Sequence, residues 1–256
     1  MQRICFFDSH FHLIDPRFPL VPNNNYLPSS FTIADYYQRL KRFNLLGGLV
    51  VSGSFQGFDQ SYLLTCLQEL GPAFVGIIQL PYSVSDDDIL TLKAAGIRGV
   101  RFNIKRGGSE SVTHLQSFAA RIYELAQWHV ELYIDARDLK ELSSTLLALP
   151  AVSIDHLGLS KEGLSILLKL AEHGVKVKAT GFGRVNFNVP QVLRDINLAN
   201  PDTLMFGTDL PSTRAPRPFM DEDIQLILDT IEPLHVEKVL YLNALKFYKV
   251  EYPEVK

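Results

Sequence analysis

The sequence has only two cysteines, Cys5 and Cys66, with one tryptophan and three methionines among 256 residues. Two thiols cannot build a disulfide framework, so a reducing, cytoplasmic setting is expected. Long hydrophobic runs are also missing. The longest, such as Leu45–Val51 and Phe74–Ile78, stop far short of the about 20 apolar residues that a membrane helix needs. No membrane partner is therefore expected. Met1–Asp8 is not expected to act as a signal peptide, because its strand-like run passes directly into polar residues. Neither sign of charge dominates: 25 Lys and Arg against 28 Asp and Glu leave a formal −3, which gives nucleic acid no basic footprint. No Gly-x-Gly-x-x-Gly follows the first strand candidate, which argues against a dinucleotide-binding sheet. No linker-like stretch divides the chain, so one domain over residues 1–256 is expected.

What is present is alternation. Short apolar runs at Ile4–Phe7, Gly48–Ser52, Phe74–Gln79, Gly99–Asn103, Glu131–Asp135, Val152–Asp155, Val175–Thr180 and Thr203–Thr208 predict strands. Amphipathic stretches from Thr32–Phe43 to Asp221–Ile231 separate and follow them. Ser85 before Asp86, Asp87 and Asp88 is a helix start, since carboxylates suit the positive helix N-terminus. Gly47, Gly71, Gly96 and Gly174 stand where helices should stop. Strands with little alternation of their own are covered on both faces. The pattern predicts an α/β fold, a single distorted (β/α)8 TIM barrel with a C-terminal helix at about 235–248.

In such a barrel chemistry gathers at the C-terminal ends of the strands. Strand one ends in Asp8-Ser9-His10-Phe11-His12, and period-two geometry turns His10 and His12 into the barrel mouth. Two imidazoles on one face can chelate a cation or hydrogen-bond one carbonyl oxygen. Strand six ends in Asp155-His156-Leu157-Gly158 and strand eight in Gly207-Thr208-Asp209-Leu210-Pro211. Asp209 there can bind metal, activate water or cap a helix. On strand four, Val100, Phe102 and Ile104 must meet the helices, so Arg101 points inward and needs an anion. That anion is a substrate carboxylate or an internal acid such as Asp135. Lys178 is an internal structural cation or a substrate contact, and His114, His129, His173 and His235 are expected to be solvated.

The motifs on strands one, six and eight resemble the amidohydrolase superfamily. Within it they are similar to the amidohydrolase-related branch that includes the 2-pyrone-4,6-dicarboxylate lactonases and sugar lactonases. Leu242-Asn243-Ala244 is similar to the Gly-Asn-Ala that opens that branch's last helix. The resemblance implies that Arg101, in Gly96–Asn103, grips a substrate carboxylate and that Ser54 offers a hydroxyl. It places Tyr133 and a further carboxylate-binding arginine, Arg184, at the same rim. Arg106 matches a second loop arginine, at one residue's shorter spacing from Arg101.

Strand five lacks the histidine that many superfamily members use to hold metal, and strand four carries Arg101 in place of a carboxylated lysine. The expectation is hydrolysis of a small carboxylated lactone with no obligatory metal. Asp209 would activate water, and His10, His12 and His156 would polarise the carbonyl. One zinc or manganese on His10, His12 and Asp209 is the alternative, in a metal-dependent amidohydrolase or a decarboxylase of an aromatic or small organic acid. A metabolite-binding barrel is the non-enzymatic alternative, although a pure binder needs no Asp209. The chain is expected to act as a monomer or homodimer.

Overall fold

Strands form where the apolar runs lie: β1 Cys5–Phe11, β2 Asn44–Val51, β3 Phe74–Ile78, β4 Ile97–Asn103, β5 His129–Tyr133, β6 Val152–Ile154, β7 Lys176–Ala179 and β8 Leu204–Phe206. They pair in parallel in chain order, from β1 to β8. The computed structural model describes residues 3–251. Met1 and Gln2, at the head of the segment read as no signal peptide, and residues 252–256 of the expected single domain lie outside the described residues. A helix follows each strand: α1 Ile33–Leu40, α2 Ser61–Leu70, α3 Asp86–Ala94, α4 Leu115–Ala126, α5 Leu139–Ala148, α6 Leu164–Glu172, α7 Val189–Ala199 and α8 Asp221–Thr230. Ser85 caps α3 by accepting from Asp88 N at 3.1 Å. The architecture is the expected (β/α)8 barrel. Among the described residues, no helix is long and apolar enough to cross a membrane.

Alternation sends Val100, Phe102, Val130, Leu132, Ile154 and Val177 outward into one cluster with the helices. The inward faces divide into two halves. From β1, β2, β3 and β8 come Phe7, Leu49, Val51, Val75, Ile77 and Met205. From β4 to β7 come Arg101, Glu131, Asp155 and Lys178, all buried. The floor beneath the apolar half is closed by the C-terminal run of α9 Pro233–Glu237, a π-helical turn Lys238–Leu242, and α10 Asn243–Tyr248. Ala244, Leu245 and Tyr248 pack on that half. Burial of each large aliphatic or aromatic side chain there contributes about 1.5–3 kcal/mol.

The ring closes between β8 and β1 beyond their regular ends. Asp209 N donates to His10 O and His12 N to Leu210 O, both at 2.7 Å. Gly207 permits this approach, since a Cβ there would lie 2.6 Å from His10 N. A register break between Asp8 and Phe11 turns Asp8 to the outer layer, whereas strict alternation would place it beside His10. Its carboxylate accepts from Thr208 N at 2.8 Å, Thr208 Oγ1 at 2.7 Å and Tyr36 OH at 3.0 Å. Burial nonetheless pushes its pKa up to about 6.

Candidate active site

The mouth of the barrel brings together the three histidines and the aspartate named from sequence. His10, His12 and His156 place their Nε2 atoms 3.9, 4.0 and 3.9 Å from one oxygen, Asp209 Oδ1. All four residues are buried. His156 and Asp209 adopt left-handed backbone, at φ +51° and +59°. Such conformations cost a non-glycine residue free energy and persist where the surroundings over-determine them.

Partners behind each ring decide what it offers. Val51 O lies 2.7 Å from His12 Nδ1. A carbonyl only accepts, so Nδ1 carries the hydrogen and Nε2 turns its lone pair to the site. His10 has two partners at one nitrogen. The Lys178 ammonium, which only donates, lies 3.1 Å from His10 Nδ1. Asp155 Oδ1, which only accepts when ionised, is 3.3 Å from the same nitrogen. Paired with Lys178, Nδ1 accepts and Nε2, otherwise without a partner, presents a hydrogen; paired with Asp155, Nδ1 donates and Nε2 presents its lone pair. His156 Nδ1 meets the Thr180 hydroxyl at 2.8 Å, which can take either role.

Burial, with Lys178 next, holds His10 well below the usual imidazole range; burial and Arg184 do the same for His156. Burial and the Arg101 charge bring His12 down to about 3. All three rings are thus neutral near pH 7. Asp209 is pushed up by burial and partly held down by Arg184. That guanidinium grips it as a fork, Nε to Oδ2 at 2.6 Å and Nη2 to Oδ1 at 3.1 Å.

Arg101 points inward, as alternation predicts, and is met by an internal acid. The acid is Asp155, with Nη2 to Oδ2 at 2.7 Å, and Glu131 lies 3.5 Å away. Asp135, offered from sequence as its partner, instead binds Arg137 and Lys105 at 2.8 and 2.7 Å. It stands past the end of β5, whereas Asp155 follows β6 directly. Lys178 is fully buried and bonded to Glu131, which makes it an internal cation. His129 corrects another expectation: it begins β5, buried, with its pKa lowered to about 3 by burial and Lys178. Of the expected solvated histidines, His235 is half-buried and meets Asn197 at 3.0 Å.

Tyr133 lies between two guanidiniums, with Arg101 and Arg106 centred 5.2 and 5.8 Å from its ring. Ser54, Arg101, Arg106, Tyr133 and Arg184 all line one cavity of about 30 Å³ with His12 and His156. A larger cavity, about 350 Å³, lies at the opposite, floor end around His129, Lys176 and Phe247, away from the three imidazoles.

The amidohydrolase family model matches residues 7–250. The chain belongs to the amidohydrolase family. A 2-pyrone-4,6-dicarboxylate hydrolase of Comamonas testosteroni is 27% identical to it over 274 aligned residues, covering 94% of this chain and 89% of that protein. A 4-sulfomuconolactone hydrolase of Rhizobium radiobacter is 25% identical over 80% of this chain and 75% of its own. Two crystal structures share the fold. An apo protein of Agrobacterium tumefaciens superposes with a TM-score of 0.87 at 20% identity, covering 97% of each chain. A probable 2-pyrone-4,6-dicarboxylic acid hydrolase of Acinetobacter baumannii with citric acid bound gives 0.84 at 22% identity, over 95% and 99%.

Sequence reasoning missed one charged rim residue of this amidohydrolase, besides Phe55 and Thr213. Arg214, in the loop after β8, also lines the small cavity. No strand or helix periodicity orients that loop. The available signal was an arginine five residues beyond Asp209, on the face where the other motifs end.

Proposed function

We propose that the protein hydrolyses a small carboxylated lactone, of the kind its relatives' names describe, without an obligatory metal. The observation that carries the reading is the set of three neutral imidazoles around one carboxylate oxygen. His10, with its Nε2 hydrogen, and His156 donate to the lactone carbonyl and to the oxyanion that forms there. Asp209 takes a proton from the attacking water, with the bare His12 Nε2 as a second acceptor for that water. The water oxygen bonds the carbonyl carbon, the ring C–O bond breaks, and Asp209 returns its proton to the leaving oxygen. Donation by His12, expected from sequence, is disfavoured by Val51 O on its Nδ1.

A metal-dependent reading has one observation in its favour. Ligand atoms of His10, His12 and Asp209 all lie within 4.8 Å of one another, and the spacing suits one divalent cation. The donor chemistry does not. With Lys178 donating to Nδ1, the His10 Nε2 lone pair is unavailable, and the Arg184 charge against Asp209 weakens its hold on a cation. Three buried cations, Arg101, Lys178 and Arg184, already face the carboxyl groups of Asp155, Glu131 and Asp209. Two further positive charges would have no counter-ion there. We read the chain as a single domain working in a reducing, cytoplasmic setting, with Cys5 and Cys66 as free thiols.

Asp209→Asn tests the reading. Turnover of a carboxylated lactone should fall at least ~100-fold, the scale of a lost general base, while the thermal unfolding curve keeps its shape. Exhaustive chelation of the wild type should leave turnover intact. Near-normal turnover in the variant removes Asp209 from the mechanism. Activity lost on chelation and restored by zinc or manganese establishes the metal-dependent route instead.

A further inference from the structure

The barrel floor carries a cavity that the chemistry of the mouth leaves unused. It opens under the first residues of β5, β6 and β7 and beside α10, with a volume of about 350 Å³, a size that suits a small organic ligand. Its walls are of two kinds. Leu146, Leu149, Val152 and Phe247 make an apolar side, and Lys176, Lys246 and Lys249 make a cationic one.

No carboxylate lies within ion-pair distance of those three ammonium groups among the described residues. Asp202 is the one acid on the walls, and its Oδ1 accepts from Lys238 at 2.8 Å. Lys176 Nζ donates to the Asp202 backbone oxygen at 2.7 Å and stands 5.9 Å from the Phe247 ring centre. The side chains of Lys246 and Lys249 have no hydrogen-bond partner among the described residues. A neighbouring hollow of about 520 Å³ shares Gln127 and Lys249 with the cavity and adds Lys93 and Arg98, again without an acid. Five cations thus gather on the floor of a chain whose net charge is −3. His129 completes the inner wall. It is 3% exposed, its ring lies 4.6 Å from that of Phe247, and its Nε2 has no partner, an uncommon state for a buried polar atom.

We propose that the floor cavity is a second ligand site, taking a small organic anion that carries a carboxylate on an apolar body. Each half of the cavity excludes a simpler occupant. An inorganic anion would satisfy the lysines and leave the apolar wall in water, and a neutral hydrocarbon would cover that wall and leave the charge unmatched. Burial lowers the pKa of Lys176 and the Lys246 charge lowers it further, with Asp202 opposing; an anion between the two lysines offsets both. The site does not depend on the lactonase reading, since no residue of its walls belongs to the mouth.

Three probes separate the possibilities by calorimetry on the whole protein at low salt: 2-naphthoate, the neutral 2-naphthamide of the same shape, and inorganic phosphate. Naphthoate should bind the wild type at least about tenfold more tightly than either of the others, the scale of two partly screened charge pairs. Lys246→Met, at an exposed and unbonded side chain, should weaken naphthoate about threefold, and Lys176→Met with Lys246→Met about tenfold or more. Ala151→Phe, which fills the cavity without touching a charge, should abolish the binding while the thermal unfolding curve keeps its shape. Arg106→Met with Arg214→Met, at the mouth, should leave naphthoate affinity within about twofold. A wild type that does not bind naphthoate, or binds naphthamide or phosphate as tightly, overturns the site. So do lysine variants of unchanged affinity, and so does a loss that follows the mouth variant instead of the floor ones.

Discussion

The two halves of the barrel interior are built on opposite principles. Around β1, β2, β3 and β8 the inward side chains are apolar and pack on Tyr248 and Leu245. Around β4 to β7 they are Arg101, Glu131, Asp155 and Lys178. An apolar wall tolerates modest change in shape, because each lost contact is small and non-directional. A buried charged wall does not, because removing one member strands another in low dielectric. The reward of the second design is orientation. Lys178 reaches His10 from below, and Arg101 holds Asp155 beside them. The groups proposed to react come from both walls: His10, His12 and Asp209 lie at the ends of β1 and β8, and His156 follows β6.

The sharpest way to break this contrast is Lys178→Met. It removes one of the two cations that Glu131 and Asp155 share, and unfolding free energy should fall by about 3–5 kcal/mol in denaturant titration. Adding Glu131→Gln should return part of that loss. A single-variant loss under about 1 kcal/mol would show that the charged wall is no more demanding than the apolar one. A smaller effect, on pH rather than stability, follows from Arg184→Met. Burial raises the Asp209 pKa and Arg184 opposes that rise. Without the guanidinium the pKa climbs further. A base works above its pKa, so the acid limb of kcat/KM should move to higher pH. A limb that stays in place would mean that Asp209 is not the group it reports. The smallest effect belongs to the apolar wall: Ile77→Val should cost about 0.5–1.5 kcal/mol and leave lactone turnover within about twofold.

Strand positions and the inward turn of Arg101 were legible because both rest on local periodicity, which the sequence states directly. The rim histidines and Asp209 were legible for the same reason, since strand ends set where they project. What periodicity could not supply was partnership across the barrel. Asp155 rather than Asp135 meets Arg101 because β4 and β6 flank β5, a relation of three strands and not of one. The outward turn of Asp8 depends on a register break that no residue in Asp8–His12 announces. His129 looked like the end of a helix, yet α4 stops at Ala126, and Gln127 and Trp128 lead into β5, which His129 begins. Arg214 lay in a loop with no period at all.

The closure between β8 and β1 has a consequence for how activity arises during synthesis. The two backbone bonds that join the first strand to the last are made by His10, His12, Asp209 and Leu210, three of which also belong to the proposed reacting centre. A nascent chain holding seven strands has Arg101, Arg106 and all three rim histidines, yet no Asp209 and no enclosed mouth. Barrel closure and the assembly of the proposed site are therefore one event. A barrel without β8 lacks Asp209, and with it the proposed base for opening a bound ester.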